Sequence, residues 1–257
     1  MATRSFDMAY AYPKEMEIAK AERWPILIPV GTMEYHSTIC PYGCDALVSQ
    51  GFIREMAKKI DCVVMPTIWY GVASYAVGGP ETGTIHVDCD TFEQYIYSIL
   101  KSLFLAGYNR NIYMVIAHQT EDYNPMQLAC MKAARKLVFE YLDTTKGYGW
   151  WGKNENKAFY QQMSAEDNPW NWVKTITAET NAPNAKAKYG GGDHAGKMEC
   201  SSLEYLYPGT IKLERLCETE DWFAQDADQM TYECGRDYIE ESVANYIKEI
   251  NAQRGIK

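Results

Sequence analysis

The stretch Pro25-Ile-Leu-Ile-Pro-Val-Gly-Thr-Met-Glu34-Tyr-His36 decides the expected fold, because its apolar first half predicts a buried strand and its second half is polar. In extended backbone, side chains two positions apart point to the same side, so Glu34 and His36 can converge on one point. A proline and a glycine further on can fold Asp45 back towards them. One imidazole and two carboxylates suit a divalent transition metal. The alternative is an ordinary strand end with three scattered polar residues.

The composition narrows the class of protein. The 257-residue chain is 47% hydrophobic, which supports a large core, and its net charge of −9 argues against a nucleic-acid partner. The segment Met1–Glu22 is polar, which argues against a signal peptide. No apolar run approaches the roughly 20 residues of a membrane span. We therefore expect a cytoplasmic protein that binds a small-molecule substrate and neither nucleic acid nor membrane.

The eight cysteines are spread along the chain without a CxxC pair. Cys40 and Cys44 are four positions apart and could be thiolate ligands, but a zinc site would require a second pair at similar spacing. We expect most of the cysteines to be buried, reduced thiols.

Strands and helices alternate in the expected order. The patterns predict strands at 25–30, 61–66 and 111–117, helices at 46–60, 91–106, 124–142 and about 226–250, and a helix start at Asp193. This order predicts one α/β domain over residues 1–257, a sandwich with a mostly parallel sheet flanked by helices. Functional groups gather beyond the carboxyl ends of such strands, which is where Glu34, His36 and His118 are expected.

Residues 144–192 differ in kind, because Tyr148, Trp150, Trp151, Trp170 and Trp172 lie there among Gly, Asn and Lys. The simpler interpretation is a surface excursion that its aromatic side chains anchor to the core. The functional interpretation is a lid or oligomer contact that places aromatic walls over a pocket.

The chain has four histidines, and three of them lie in polar clusters with a carboxylate nearby: His36, His118 and His194. Each alone could be a structural histidine, but three such coincidences together are improbable. His86 alternates like a strand residue, and we expect it to be structural.

Four motifs now carry a resemblance to a known family. Glu34-Tyr-His36 with Asp45, after a strand ending Pro-Val-Gly, resembles the signature of the creatininase (creatinine amidohydrolase) family. Gly83-Thr84-Ile85 resembles the family's Gly-Thr-Ile. His118 occupies the place of its Asn-Gly-His-Gly-Gly-Asn motif, and the segment 194–201 resembles its His-Ala-Gly-x-x-Glu-Thr-Ser. The motifs occur in the family's order over about residues 25–210.

The resemblance implies a compact α/β sandwich with a binuclear metal centre and a homo-oligomeric assembly, a hexamer included. The metals would be two divalent ions, Zn, Mn or Fe. It implies the metal ligands Glu34, His36, Asp45, His118 and Glu199, with Asp45 as the bridge. Thr120 replaces a carboxylate that some members use, so the fifth ligand is Glu199 or Glu121. His194, with Glu199 and Glu121, is implied in the catalytic chemistry, and His194 as an acid or base.

The implied reaction is hydrolysis, in which a metal-activated water attacks a carbonyl of a small cyclic amide-type substrate. Ser37, Thr38 and Ile39 depart from the family pattern and are expected in the pocket wall, so creatinine itself is not assumed. One alternative is a ring-opening C–C hydrolase of an inositol-derived cyclic diketone, of the 3-dehydro-scyllo-inosose hydrolase type in inositol catabolism. A second alternative is a non-catalytic metal-binding protein on the same scaffold.

Overall fold

A parallel β-sheet with helices on both faces forms the centre of the protein, in a computed structural model that describes residues 3–118 and 124–256. The strands are β1 (Ser5–Asp7), β2 (Ile26–Val30), β3 (Cys62–Val64), β4 (Ile112–Ile116) and β5 (Val173–Thr177). Their spatial order is β1-β3-β2-β4-β5, and every pair is parallel. The expected α/β sandwich is confirmed.

The register places the carboxyl ends of the three strands that matter for the site at one level. Val30 at the end of β2 lies opposite Ile116 at the end of β4, and Ile116 lies opposite Thr177 at the end of β5. The loops that follow these strands therefore emerge side by side at one edge of the sheet.

The helices are α1 (Pro13–Ala21), α2 (Cys44–Ala57), α3 (Cys89–Leu105), α4 (Pro125–Lys146), α5 (Lys157–Gln162), α6 (Pro183–Tyr189), α7 (Lys197–Leu206) and α8 (Tyr232–Gln253). Strand side chains alternate between two cores. Ile26 and Ile28 pack with α1, α3 and α4 on one face, whereas Leu27 packs with α2, α7 and α8 on the other. Burial on both faces explains why β2 and β4 are apolar throughout. None of the helices in the described ranges combines the length and apolarity needed to cross a bilayer.

Two strands were missed by the sequence patterns. β1 lies in the segment 1–22, which has no long apolar run, and β5 lies within the segment 144–192. The segment 144–192 is therefore more than a surface excursion, because it contributes the edge strand β5 to the sheet. Its tryptophans Trp150, Trp170 and Trp172 pack with the core formed by α1, α3 and α4, as the simpler interpretation expected.

Several expected helix boundaries were wrong by a few residues. The helix expected to start at Asp193 begins at Lys197, and the C-terminal helix begins at Tyr232 rather than near 226. A single turn of 3₁₀-helix at Ala227–Gln229 precedes the latter helix, and Thr231 caps it by accepting a hydrogen bond from the backbone of Cys234.

Candidate metal centre

The loop after β2 carries Glu34 and His36 and leads directly into α2. A Cβ atom on Gly31 would lie 2.4 Å from the Cα of Ala46, so only glycine allows the strand end to pass this close to the helix. The backbone N–H of Glu34 donates to the carbonyl of Tyr42 (2.9 Å), which closes the loop. Asp45 lies in the first turn of α2 and is thereby brought back beside Glu34.

The first group of candidate ligands consists of Glu34, Asp45 and His118, all buried. Nδ1 of His118 lies 3.1 Å from Oε2 of Glu34 and 3.5 Å from Oδ2 of Asp45. One ligand atom from each residue fits within a mutual distance of 4.8 Å. The structure thus brings together three of the side chains that the resemblance to the family implies as metal ligands.

The second group is centred on His36. Its Nδ1 donates to the backbone carbonyl of Glu34 (3.0 Å), which leaves Nε2 available as an acceptor. Nε2 lies 3.7 Å from Oδ1 of Asp45 and 3.6 Å from Oε2 of Glu199. The two oxygens of Asp45 therefore face different histidines, which is the arrangement that a bridging carboxylate requires.

Cys44 also belongs to this second group, since one ligand atom each from His36, Cys44 and Glu199 lies within 4.8 Å of the others. In the sequence, Cys44 suggested only a pair with Cys40, and no pattern indicated its proximity to His36. The Sγ of Cys40 lies instead 3.5 Å from that of Cys200, and all eight cysteines are free. Five of them are buried, as expected: Cys44, Cys62, Cys130, Cys200 and Cys234.

Glu199 is held in place by the start of α7. Asp193 accepts hydrogen bonds from the backbone N–H groups of Met198 (2.7 Å) and Glu199 (3.0 Å) and so satisfies the first turn of the helix. Glu199 itself accepts from the backbone N–H of Ala195 (2.7 Å) through Oε2, the oxygen that faces His36. These bonds explain why the polar residues at 193–199 precede and begin a helix.

His194 lies against the second group. Its ring stacks on that of His36 with centroids 4.1 Å apart, and Phe223 contacts its other side at 5.2 Å. Nε2 of His194 donates to the carbonyl of Tyr35 (2.9 Å), so Nδ1 is the nitrogen left to exchange a proton. His86 lies elsewhere, accepting a hydrogen bond from the backbone of Ser74 through Nδ1 (3.0 Å).

The charged groups in the site shift one another's pKa values. Burial acts to lower the pKa of His118, but the charge of Asp45 opposes it and raises that pKa to about 10. Burial also acts against a charged His36, whose pKa is nevertheless raised well above its usual value by the charges of Glu199 and Asp45. Burial acts to raise the pKa of Asp45, and the two histidines lower it. Protons on the histidines thus balance the carboxylates where a cation would otherwise do so.

The donor set fits divalent metal ions. Four buried ligand atoms have no hydrogen-bond partner among the described residues: Glu34 Oε1, His36 Nε2, Asp45 Oδ2 and His118 Nε2. Buried polar atoms are normally satisfied, so this concentration of unsatisfied nitrogen and oxygen atoms needs a ligand. Imidazole and carboxylate together are typical ligands of Zn, Mn and Fe.

A cavity of about 1030 Å³ opens over the site. Its wall includes Glu34, Asp45, His118, His194 and Glu199, together with Glu179, which the sequence analysis did not consider. Glu179 follows β5, and the missed strand is the reason that it was overlooked. The alternation in Val173-Lys-Thr-Ile-Thr177 was the available signal.

Two expectations about the pocket wall were wrong. Ser37, Thr38 and Ile39 are absent from the described cavity wall: Thr38 donates to the carbonyl of Arg215 (2.8 Å), and Ile39 packs into the core. The aromatic residues of the segment 144–192 that could have formed further walls are absent from it too: Tyr148, Trp150, Trp151, Trp170 and Trp172. Glu121 and Thr120 lie outside the described residues, so the choice between Glu121 and Glu199 stays a prediction.

The fold and the site define a class: an α/β protein with a carboxylate–histidine metal site at the carboxyl edge of a parallel sheet. The sequence profile of the family described as "Creatininase: Creatinine amidohydrolase" matches residues 11–255. The chain belongs to the creatininase family, whose members are metal-dependent hydrolases.

Individual relatives support the same assignment. The chain is 32% identical over 104 residues to the 3-dehydro-scyllo-inosose hydrolase of Thermotoga maritima, a match that covers 40% of this chain and 32% of that protein. It is 22% identical over 200 residues to the creatinine amidohydrolase of Pseudomonas putida, covering 75% of this chain and 68% of that protein. The match to the Thermotoga maritima enzyme thus spans only about a third of that enzyme's length.

Solved structures share the fold. A manganese creatininase has a TM-score of 0.74 at 18% identity, covering 97% of this chain and 99% of that one. A creatininase variant of the Zn-Zn type also has a TM-score of 0.74 at 18% identity, covering 98% and 99%.

Proposed function

We propose that this protein is a binuclear metal-dependent hydrolase that adds water to a carbonyl carbon of a small cyclic amide-type substrate. The observation that carries the proposal is the position of Asp45 on the cavity wall, where its two oxygens face two different histidines, His36 and His118. A carboxylate between two nitrogen ligands suits a pair of divalent ions rather than one.

In this proposal Glu34, Asp45 and His118 hold one ion, and His36, Asp45 and Glu199 hold the other. Bound divalent ions would supply Lewis-acid polarisation of a carbonyl and a nucleophile at neutral pH. The hydrogen bond from Ala195 to Glu199 and that from His36 to the Glu34 carbonyl orient these two side chains before any ion binds.

His194 is the proposed proton carrier. It lies on the cavity wall, its Nε2 is occupied by the Tyr35 carbonyl, and its Nδ1 can deliver a proton to the departing group. Imidazole suits this role because its ordinary pKa lies close to neutral pH. Glu199 and Glu121 remain the other proposed catalytic carboxylates.

The second candidate is ring-opening C–C hydrolysis of an inositol-derived cyclic diketone. The observation that favours it is the 32% local identity to the Thermotoga maritima enzyme, which is named for a substrate of that kind. Both candidates begin with water attack at a ring carbonyl, and they differ in the bond that breaks next.

Metal analysis followed by a substrate panel tests both candidates. The protein should retain about two equivalents of Zn, Mn or Fe after gel filtration, and it should hydrolyse either cyclic amides or inositol-derived ketones. Turnover of the ketones alone would replace the first candidate with the second. Full activity in a metal-free preparation would contradict both, and metal binding without any turnover would favour the non-catalytic alternative.

We also infer a homo-oligomer, because the resemblance to the family implies one. Sedimentation equilibrium of the metal-loaded protein would show a mass several times the 29.4 kDa of the chain, and a monomer would contradict the inference.

A further inference from the structure

Glu179 lies on the wall of the cavity that also contains the candidate metal ligands. The backbone N–H of Ala178 donates to the carbonyl of Ile116 (2.8 Å), which continues the β4–β5 ladder by one step. In a parallel ladder the following residue on each strand is also a neighbour, so Glu179 emerges next to His118. Both residues line the same cavity.

The backbone at Glu179 is unusual. Its φ is +66°, a left-handed conformation that costs a residue with a side chain roughly 1 kcal/mol or more. The backbone N–H of Thr180 donates to the carbonyl of Ala178 (2.7 Å), which forms a tight turn around Glu179. The chain therefore holds a glutamate in a conformation that asparagine or glycine would adopt more easily.

The carboxyl group of Glu179 is also poorly compensated. The residue is 4% exposed, and its Oε1 has no hydrogen-bond partner among the described residues. The charges that act on it most strongly are the carboxylates of Glu199, Asp193 and Asp45. Ser202 forms a hydrogen bond with the carboxyl group, but Oε1 stays unpaired. A buried carboxyl oxygen without a partner is costly, so packing and this one bond do not account for a glutamate here.

We propose that Glu179 binds a hydrogen-bond donor on the substrate ring, an O–H or an N–H group, and so selects ring substrates that carry such a donor. The inference rests on the proposed function, since it assigns Glu179 to the same cavity. A hydroxyl of a polyhydroxylated ring and an N–H of a cyclic amide offer the same chemistry to an unpaired carboxyl oxygen. Glu179 is thus a specificity-determining residue, distinct from the proposed metal ligands.

The test uses the zinc-loaded, full-length protein and two probes, myo-inositol for ring O–H donors and creatinine for ring N–H donors. Calorimetric titration compares wild type with Glu179→Leu and Glu179→Gln. A hydrogen bond to a buried carboxyl oxygen is worth roughly 10-fold in affinity, so Glu179→Leu should weaken binding of one probe by about that factor. Glu179→Gln keeps an acceptor oxygen, so its affinity for that probe should lie between those of the wild type and Glu179→Leu. The probe that is affected identifies the donor.

Glu93→Gln is the matched control. Glu93 on α3 is equally buried at 4% exposure, but it pairs with Lys132 of α4 (2.6 Å), and neither residue lines the cavity. The Glu93→Gln variant should bind both probes with the wild-type affinity. Both Glu179 variants should keep the wild-type zinc content and melt at the wild-type temperature or above, because they remove a buried carboxyl group with an unpaired oxygen.

Three outcomes would overturn the inference. They are equal probe binding by wild type and both Glu179 variants, binding of neither probe by the wild type, and loss of zinc in Glu179→Gln. The proposed function fails by a different measurement, the absence of hydrolysis products from the zinc-loaded wild type, so the two failures are separable.

Discussion

The direction of individual nitrogen atoms determines what the two central histidines can bind. His36 donates from Nδ1 to a backbone carbonyl in its own loop, so Nε2 is the nitrogen that faces Asp45 and Glu199. His118 instead presents Nδ1 to Glu34 and Asp45. A spacing of two residues in the sequence indicated that Glu34 and His36 converge, but it carried no information about which nitrogen would be available.

Removing a ligand and removing the proton carrier should have different effects. His118→Ala should lose metal ions and activity together, with activity falling by more than ~100-fold, since even changes to groups that only orient a ligand cost 10- to 100-fold. His194→Ala should keep the metals and lose kcat by roughly 10²- to 10⁴-fold, as expected for a general acid. Metal content by mass spectrometry and steady-state kinetics measure the two effects.

His86→Ala is the control for both variants, because His86 lies outside the site and should leave metal content and kcat unchanged. Retention of both metal ions by His118→Ala would contradict its assignment as a ligand, and a His194→Ala variant with wild-type kcat would contradict its role as proton carrier.

The stability of the metal-free protein should fall as the pH rises from about 6.5 to about 8. The pKa of His118 is raised to about 10, while an unfolded histidine titrates near 6.5. The folded state therefore holds a proton that the unfolded chain has released, and the stability it confers is lost as the pH rises. Glu179, whose pKa burial and the Glu199 charge raise to about 8, acts in the same direction.

Urea denaturation in the presence of a chelator, at several values between pH 6.5 and 8, measures this dependence. The slope should be smaller in His118→Ala. A free energy of unfolding that rises over this range would show that the histidines are neutral in the metal-free protein.

At the scale of elements, the close contact between the end of β2 and the start of α2 sets the geometry of the site. In Gly31→Ala the added Cβ would lie 2.4 Å from backbone atoms of Ala46, so the strand and the helix must separate. Overpacking of this kind costs roughly 1–3 kcal/mol in the free energy of unfolding. The separation also moves Asp45 away from Glu34, and metal affinity should fall with stability.

Gly152→Ala is the matched control, because the nearest atom to its Cβ would be 3.8 Å away. Thermal denaturation and zinc titration of the two variants should show a clear loss for the first and almost none for the second. Equal melting temperatures and zinc affinities of the two variants would mean that the β2–α2 contact can accommodate an added methyl group.

Much of the architecture was predictable from elements whose sequence period is strong. The apolar strands β2 and β4 and the amphipathic helix α3 were recognised because they are buried on defined faces. β1 is only three residues long and lies at an edge, so no apolar run marks it. β5 alternates over five residues, but the surrounding aromatic and polar residues obscured that pattern.

Residues of the candidate site could be predicted where the strand that precedes them could be predicted. Glu34, His36, Asp45 and His118 follow apolar strands or lie in a recognisable family motif, and the structure brings them together. Glu179 depends on β5 and could not be placed without that strand. Cys44 faces His36 only because α2 begins two residues earlier than the hydrophobic pattern indicated.

At the scale of the whole molecule, metal binding should contribute to global stability. Ligands from β2, α2, β4 and α7 would be joined by the ions, and a ligand that binds only the folded state stabilises it by about 3–4 kcal/mol at 100–1,000 times its Kd. For a chain of this size that corresponds to roughly 5–15 °C in Tm. Calorimetry before and after chelation measures the shift.

Adding back Zn or Mn should restore the Tm, whereas Mg, which prefers an all-oxygen site, should restore little of it. An unchanged Tm after complete removal of the metals would contradict the idea that the ions connect these elements.

The spacing of the ligands along the chain has a consequence for the order in which the protein matures. Glu34, Asp45 and His118 are all present once the first half of the chain has been synthesised, whereas the group around His36 must wait for Glu199 on α7. Asp45 serves both groups, so an ion captured early would already orient the carboxylate that the second group shares. In the proposed binuclear centre, synthesis from the N-terminus would therefore favour filling of the group at His118 before the group at His36.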